Sequence, residues 1–138
     1  VGPARRAVVD FAIGEGAIEA LAADVALAVS EACTNVVVHA YRTPAGPGRV
    51  QIVARRVRPE LLVSVGDDGD GLCPRTDSPG LGLGLGIIAR VAHAVAFAQR
   101  PGGGTELEMR FLLVAGPVVR PPRTAARPGD ADQVASGL

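Results

Sequence analysis

Apolar positions along this chain follow two rhythms, one of three to four residues and one of two. Val8, Val9, Phe11 and Ile13 stand among Arg5, Arg6 and Asp10, which predicts a short amphipathic helix over 3–13 that Gly14-Glu15-Gly16 stops. From Ile18 to about Ala40, Leu21, Val25, Ala28, Val29, Ala32 and Val36 recur at helical steps and predict a long helix with one buried face. Two prolines and two glycines in 43–48 end it. The rhythm then changes to two: Val50, Ile52 and Ala54 alternate with Gln51, Val53 and Arg55, and Leu61 to Val65 follows the Arg58-Pro59-Glu60 turn, which predicts a hairpin. Residues 66–86 read as irregular, Ile87 to about Ala94 as a short helix, Val95 to Gln99 as a strand, and 101–104 as a tight turn. Leu107, Met109 and Phe111 alternate with Glu106, Glu108 and Arg110 in a last strand with one wet face, antiparallel to its neighbour. Prolines and glycines scattered through 114–138 without hydrophobic period predict disorder there. The order of elements predicts an α+β fold, a two-layer sandwich with helices on one face of a mostly antiparallel sheet, over residues 1–113.

Composition narrows this picture. The 138 residues suffice for one domain. With 48% hydrophobic residues but only 3% aromatic, the core must be built from Ala, Val, Leu and Ile. Fourteen basic residues, all Arg, balance fourteen acidic ones, so the broad positive field that nucleic acid or an anionic membrane would require is missing. Cys33 and Cys73 show neither disulfide nor zinc spacing. A reducing cytosol is therefore expected. The start, Arg5-Arg6 before an apolar stretch, only faintly imitates a signal peptide because Asp10 interrupts it, and no uninterrupted apolar run reaches the ~18 residues of a membrane span.

Three constellations carry chemistry. Glu31, Asn35 and His39 are spaced by four on the long helix, so they form one stripe, each roughly 40° and about 6 Å from the next. An Asn oxygen is a hard ligand suited to Mg²⁺, which shares its shell with water and substrate phosphates, and a Glu one turn away could accept a proton. The plain alternative is a polar face meeting solvent. In Val65-Gly66-Asp67-Asp68-Gly69-Asp70-Gly71, an apolar strand runs into acids and glycines. An ionised carboxylate only accepts hydrogen bonds, so at a strand end it suits the amino group of adenine and repels guanine's carbonyl. The alternative is a solvated acidic turn; a calcium loop of the EF-hand kind fails on spacing. The third is Gly80-Leu81-Gly82-Leu83-Gly84-Leu85-Gly86-Ile87-Ile88, a glycine-rich loop opening a helix, where backbone N–H groups can approach phosphate closely. Gly84-x-Gly86-x-x-Ala89 fits a dinucleotide fingerprint in letters, but 76–79 before it is no strand, and without Lys there is no Walker loop. Low-complexity flexibility is its alternative.

Taken in order, Glu31-x-x-x-Asn35, Asp67-x-Gly69-x-Gly71, Gly82-x-Gly84 and Gly103-Gly104-Thr105 resemble the asparagine box, the two glycine boxes and the final threonine of the GHKL (Bergerat-fold) ATP-binding superfamily. The helix from Ser30 to Tyr41 is similar to that of the anti-sigma-factor serine/threonine kinases, and the resemblance spans about residues 4–113. It implies ATP and Mg²⁺ as cofactors, with Asn35 holding the metal, Asp67 binding the adenine amino group, Gly69 and Gly71 shaping its pocket, Gly82 and Gly84 flanking the phosphates, His39 lining them and Thr105 supporting the Asp67 end. Arg75 is the one cation of the short segment between Leu72 and Gly80. Glu31 matches the general base of the kinase branch. The resemblance further implies a cytoplasmic kinase that phosphorylates an anti-anti-sigma protein, sequesters a sigma factor as a homodimer through positions such as Arg5, and engages neither nucleic acid directly nor membrane. A nucleotide-gated binding module without phosphotransfer, and a histidine-kinase-like catalytic domain, share the same pocket and stay open at this point.

Overall fold

A computed structural model describes residues 1–39, 48–68, 81–113 and 133–137. Helix α1 spans Gly2–Gly14, opens on Pro3, whose fixed φ suits a first turn, and buries Ala4, Val8 and Ala12 at four-residue steps. Its end is closed by Ala17 N–H to Ala12 O at 2.9 Å and Gly16 N–H to Ile13 O at 3.0 Å, with Gly16 at φ +98°, the left-handed conformation that favours glycine. Helix α2, Glu19–His39, packs against both other helices and the sheet, with Val25, Ala28, Val29, Ala32, Cys33 and Val36 buried. By length and composition its Glu19–Val37 stretch, mean hydropathy 1.4, is apolar enough to cross a membrane, although charges interrupt it in the sequence. Its apolar side is spent instead on the core of the fold.

The sheet contains β1 (Val50–Val57), β2 (Glu60–Asp67), β3 (Ala94–Gln99), β4 (Thr105–Leu112) and β5 (Gln133–Gly137), in the order β3-β4-β2-β1-β5, with every neighbouring pair antiparallel. Register places Ile52, Val65 and Leu107 in one cross-strand row and Ala54, Val63 and Met109 in the next. Leu61 pairs Phe111 in a third row. All eight are buried and belong to one core with the inward residues of α1, α2 and the third helix, α3 (Leu81–Val91). These rows are the period-two residues of the sequence, and the helices cover that single face, as expected of an α+β sandwich. At the edge of the third row Arg56 pairs with Glu15 at 2.6 Å and ties the end of α1 to β1.

Two expectations are corrected. The glycine-rich stretch is not a loop opening a helix at Ile87: α3 begins at Leu81, so Gly82, Gly84 and Gly86 are helical. Isolated glycine costs a helix roughly 1 kcal/mol per residue relative to Ala, so local propensity argues against this helix, and packing against α2 overrides it. The C-terminal stretch is not wholly without structure either, since 133–137 pairs along β1 from Gln133↔Arg55 to Gly137↔Gln51. That strand takes its hydrogen-bond partners from the otherwise unpaired edge of β1, which no local pattern in the tail announces. Residues 114–132 lie outside the described part.

Candidate functional site

The inward row of β2 runs Leu61, Val63, Val65 and then Asp67, so the alternation that buries valine also buries a carboxylate at the strand's last residue. Asp67 is 0% exposed. Thr105, the first residue of β4, is also buried, and extending the β2–β4 register by one step from Gly66↔Glu106 sets it opposite Asp67. The preceding turn also comes close to Asp67. Gly104 lies at φ +89°, and a Cβ built on it would stand 2.0 Å from the Asp67 carbonyl oxygen. On the other side, the backbone N–H of Arg49 donates to Asp68 Oδ1 at 2.7 Å, joining the start of β1 to the end of β2. The arrangement supports a buried, rigidly held acceptor, suited to a ligand N–H and costly to fill with a second acceptor.

A second cluster lies where α2 meets α3. A Cβ on Gly84 would stand 3.1 Å from each of Asn35 Nδ2, Asn35 Oδ1 and Glu31 Oε2, so the absent side chain of Gly84 is what lets α3 sit against both polar residues. Asn35 is 5% exposed, and its Nδ2 has no hydrogen-bond partner among the described residues. A buried donor left this way costs roughly 1–3 kcal/mol unless a ligand satisfies it. At Asn35 the stripe is therefore not a solvated helix face, whereas Glu31 is partly exposed. The residues fit a nucleotide with its divalent ion: the carboxamide nitrogen can meet a phosphate oxygen, the carboxamide oxygen is of the hard type that Mg²⁺ takes, and the opening turn of α3 carries N–H groups with no partner inside the helix. Among the described residues no group of three or more His, Cys, Asp or Glu gathers to hold a metal.

The residues singled out in the sequence thus form two groups, Glu31, Asn35 and Gly84 between the helices, and Asp67 and Thr105 at the sheet end. Gly82 lies in the first turn of α3 and His39 closes α2. Gly69, Gly71 and Arg75 lie outside the described residues. Three residues that touch the Asp67 end escaped the sequence reading as individuals: Gly104, Arg100 and Gly66. The signal was present for the first, in three consecutive glycines before Thr105. Cys33 is no rival nucleophile, because burial pushes its thiol pKa up and keeps it neutral.

Gly84 yields a direct test. Gly84→Ala gains helix propensity but brings a methyl to 3.1 Å from the two polar side chains. We expect a melting temperature close to that of the unaltered chain, together with nucleotide affinity lowered roughly tenfold or more by misplacement of Asn35. Thermal unfolding and a nucleotide titration on the same sample check both.

An α+β sandwich with a buried carboxylate ending one strand, and a buried carboxamide facing a glycine-rich helix start, defines an ATP-binding module of the kinase-like type. A family model described as histidine kinase-like ATPase domain matches residues 1–111, and the chain belongs to that family. Among solved structures, the histidine kinase domain from the Erythrobacter litoralis EL346 blue-light activated histidine kinase is similar at 28% identity and a TM-score of 0.56, over 68% of this chain and 45% of that one. The chain therefore spans less than half of that structure. No curated protein matches significantly.

Proposed function

We propose that this domain is an ATP- and Mg²⁺-dependent serine/threonine protein kinase of the anti-sigma type, which transfers the γ-phosphoryl group of ATP to a hydroxyl of an anti-anti-sigma protein. The observation that carries this reading is the contact of Gly84 with both Glu31 and Asn35, which puts a carboxylate and a buried carboxamide together beside the first turns of α3. Asn35 Oδ1 would hold Mg²⁺, which when bound neutralises phosphate charge. Asp67 accepts a hydrogen bond from the adenine amino group. The N–H groups opening α3 receive phosphate oxygens. Glu31 takes the proton of the substrate hydroxyl as its oxygen bonds to the γ-phosphorus and the bond to the β-phosphate oxygen breaks, releasing ADP. Such transfer depends mainly on positioning and electrostatics, and a positioned base adds about 10²- to 10⁴-fold. Sequestration of a sigma factor, a homodimer and a cytoplasmic setting complete the proposal.

Label transfer from γ-labelled ATP to an anti-anti-sigma protein tests it. Glu31→Ala is expected to cut transfer by about 10²- to 10⁴-fold while leaving ATP affinity nearly unchanged; equal transfer by both proteins removes Glu31 from the chemistry. A second reading, a catalytic domain serving a histidine on a separate domain, is favoured by the likeness to the Erythrobacter litoralis histidine kinase domain. The two differ in product. Phosphoserine survives acid and phosphohistidine does not, so acid treatment of the labelled partner separates them.

A further inference from the structure

We propose that Arg100 is a positioning residue for Asp67, laid across the sheet face opposite the helices so that it fixes the peptide after the base-binding carboxylate. The proposal rests on the reading of Asp67 as the adenine anchor. Asp67 ends β2, and the last residue of a strand has a peptide that the ladder restrains least. Arg100 Nη1 donates to the carbonyl oxygen of Asp67 at 3.3 Å, and Nη2 donates to Gln51 Oε1 at 2.7 Å. Gln51 pairs with Gly66 on the neighbouring strand, so the planar fork spans β2 and joins the Asp67 peptide to β1.

Both the path and the delivery of this side chain are built in. A Cβ on Gly66 would stand 3.2 Å from Arg100 Nη1 and 3.3 Å from its Cδ, so the guanidinium lies over the one residue of that row without a side chain. The turn that carries Arg100 closes through Arg100 N–H to Gly104 O at 3.0 Å and Gly103 N–H to Arg100 O at 3.1 Å. Gly102, Gly103 and Gly104 all have positive φ, at +91°, +102° and +89°. This single turn thus presents Gly104 to the Asp67 carbonyl and sends the Arg100 side chain over Gly66 to the same carbonyl. A rigid fork with several donors can hold two acceptors at once, whereas an ammonium is a point charge on a flexible stem. Since the bond to Gln51 is exposed and hydrogen bonds to water replace it at small net cost, the effect falls on the geometry of the site more than on folding.

The experiment titrates ATP and GTP into the wild-type chain, Arg100→Ala, Arg100→Lys and Gln51→Ala, and records thermal unfolding of each. Arg100→Ala is expected to weaken ATP binding roughly tenfold and to narrow the preference for ATP over GTP, with little change in melting temperature. Arg100→Lys should recover part of the loss, and Gln51→Ala should show a smaller loss in the same direction. ATP affinity and selectivity unchanged in Arg100→Ala, with the wild type binding ATP, overturns the role of Arg100 alone. A large fall in melting temperature with selectivity intact makes Arg100 merely structural and also overturns it. A wild-type chain that binds neither nucleotide overturns the base-anchor reading and this proposal together.

Discussion

Asp67→Asn is expected to weaken ATP binding by roughly 10- to 100-fold and to erase most of the preference for ATP over GTP. Hydrogen bonds to charged groups contribute about 1.5–3 kcal/mol, which is a factor of this size in affinity. Asp67 is fully buried at the end of the inward row of β2, so no water compensates when its acceptor is weakened. The altered selectivity has a separate cause. A carboxylate offers only acceptors and meets the carbonyl of guanine with repulsion, whereas the carboxamide can turn its NH₂ toward that carbonyl. Parallel titrations with ATP and GTP measure both effects. If GTP binds the unaltered chain as well as ATP does, Asp67 does not read the base.

Gly104→Ala is expected to cost about 2–5 kcal/mol of stability. The left-handed conformation disfavours any residue with a Cβ by roughly 1–2 kcal/mol, and overpacking that moves backbone adds roughly 1–3. Here the new methyl would stand 2.0 Å from the Asp67 carbonyl oxygen and 2.8 Å from its carbon, so β2 and β4 must part at the end of the ladder that carries the site. For a domain of this size the melting temperature should fall by roughly 10 °C or more. Gly102→Ala is the internal control. Its φ of +91° is nearly the same, but nothing lies within 4 Å of the added Cβ, so it should lose only the conformational part, about 1–2 kcal/mol. Equal losses at the two positions show that the contact with Asp67 carries no weight.

Much of the site was legible because its chemistry rides on the same periodicities as the fold. Glu31 and Asn35 share a helix stripe by spacing alone, and Asp67 falls on the inward side of β2 because it continues the alternation of Val63 and Val65. Where reading failed, the missing information was distance along the chain. Helix α3 contains three glycines and gains its stability from α2, which begins some sixty residues earlier, roughly counted. Strand β5 depends on an edge of β1 that exists only once the sheet has formed.

What the amino-acid order determined by itself was therefore the first two helices and the strands β1 to β4, the identity of their buried faces and the presence of an acid, a carboxamide and glycines at motif spacing, since each follows from contacts within a few residues. What only the tertiary structure decided was which of these groups touch: Gly84 against Glu31 and Asn35, Gly104 against the Asp67 carbonyl, and Arg100 reaching Gln51 across β2. Such contacts join residues thirty to fifty positions apart, roughly counted, and are set by how closely layers and strands pack, which no local pattern encodes.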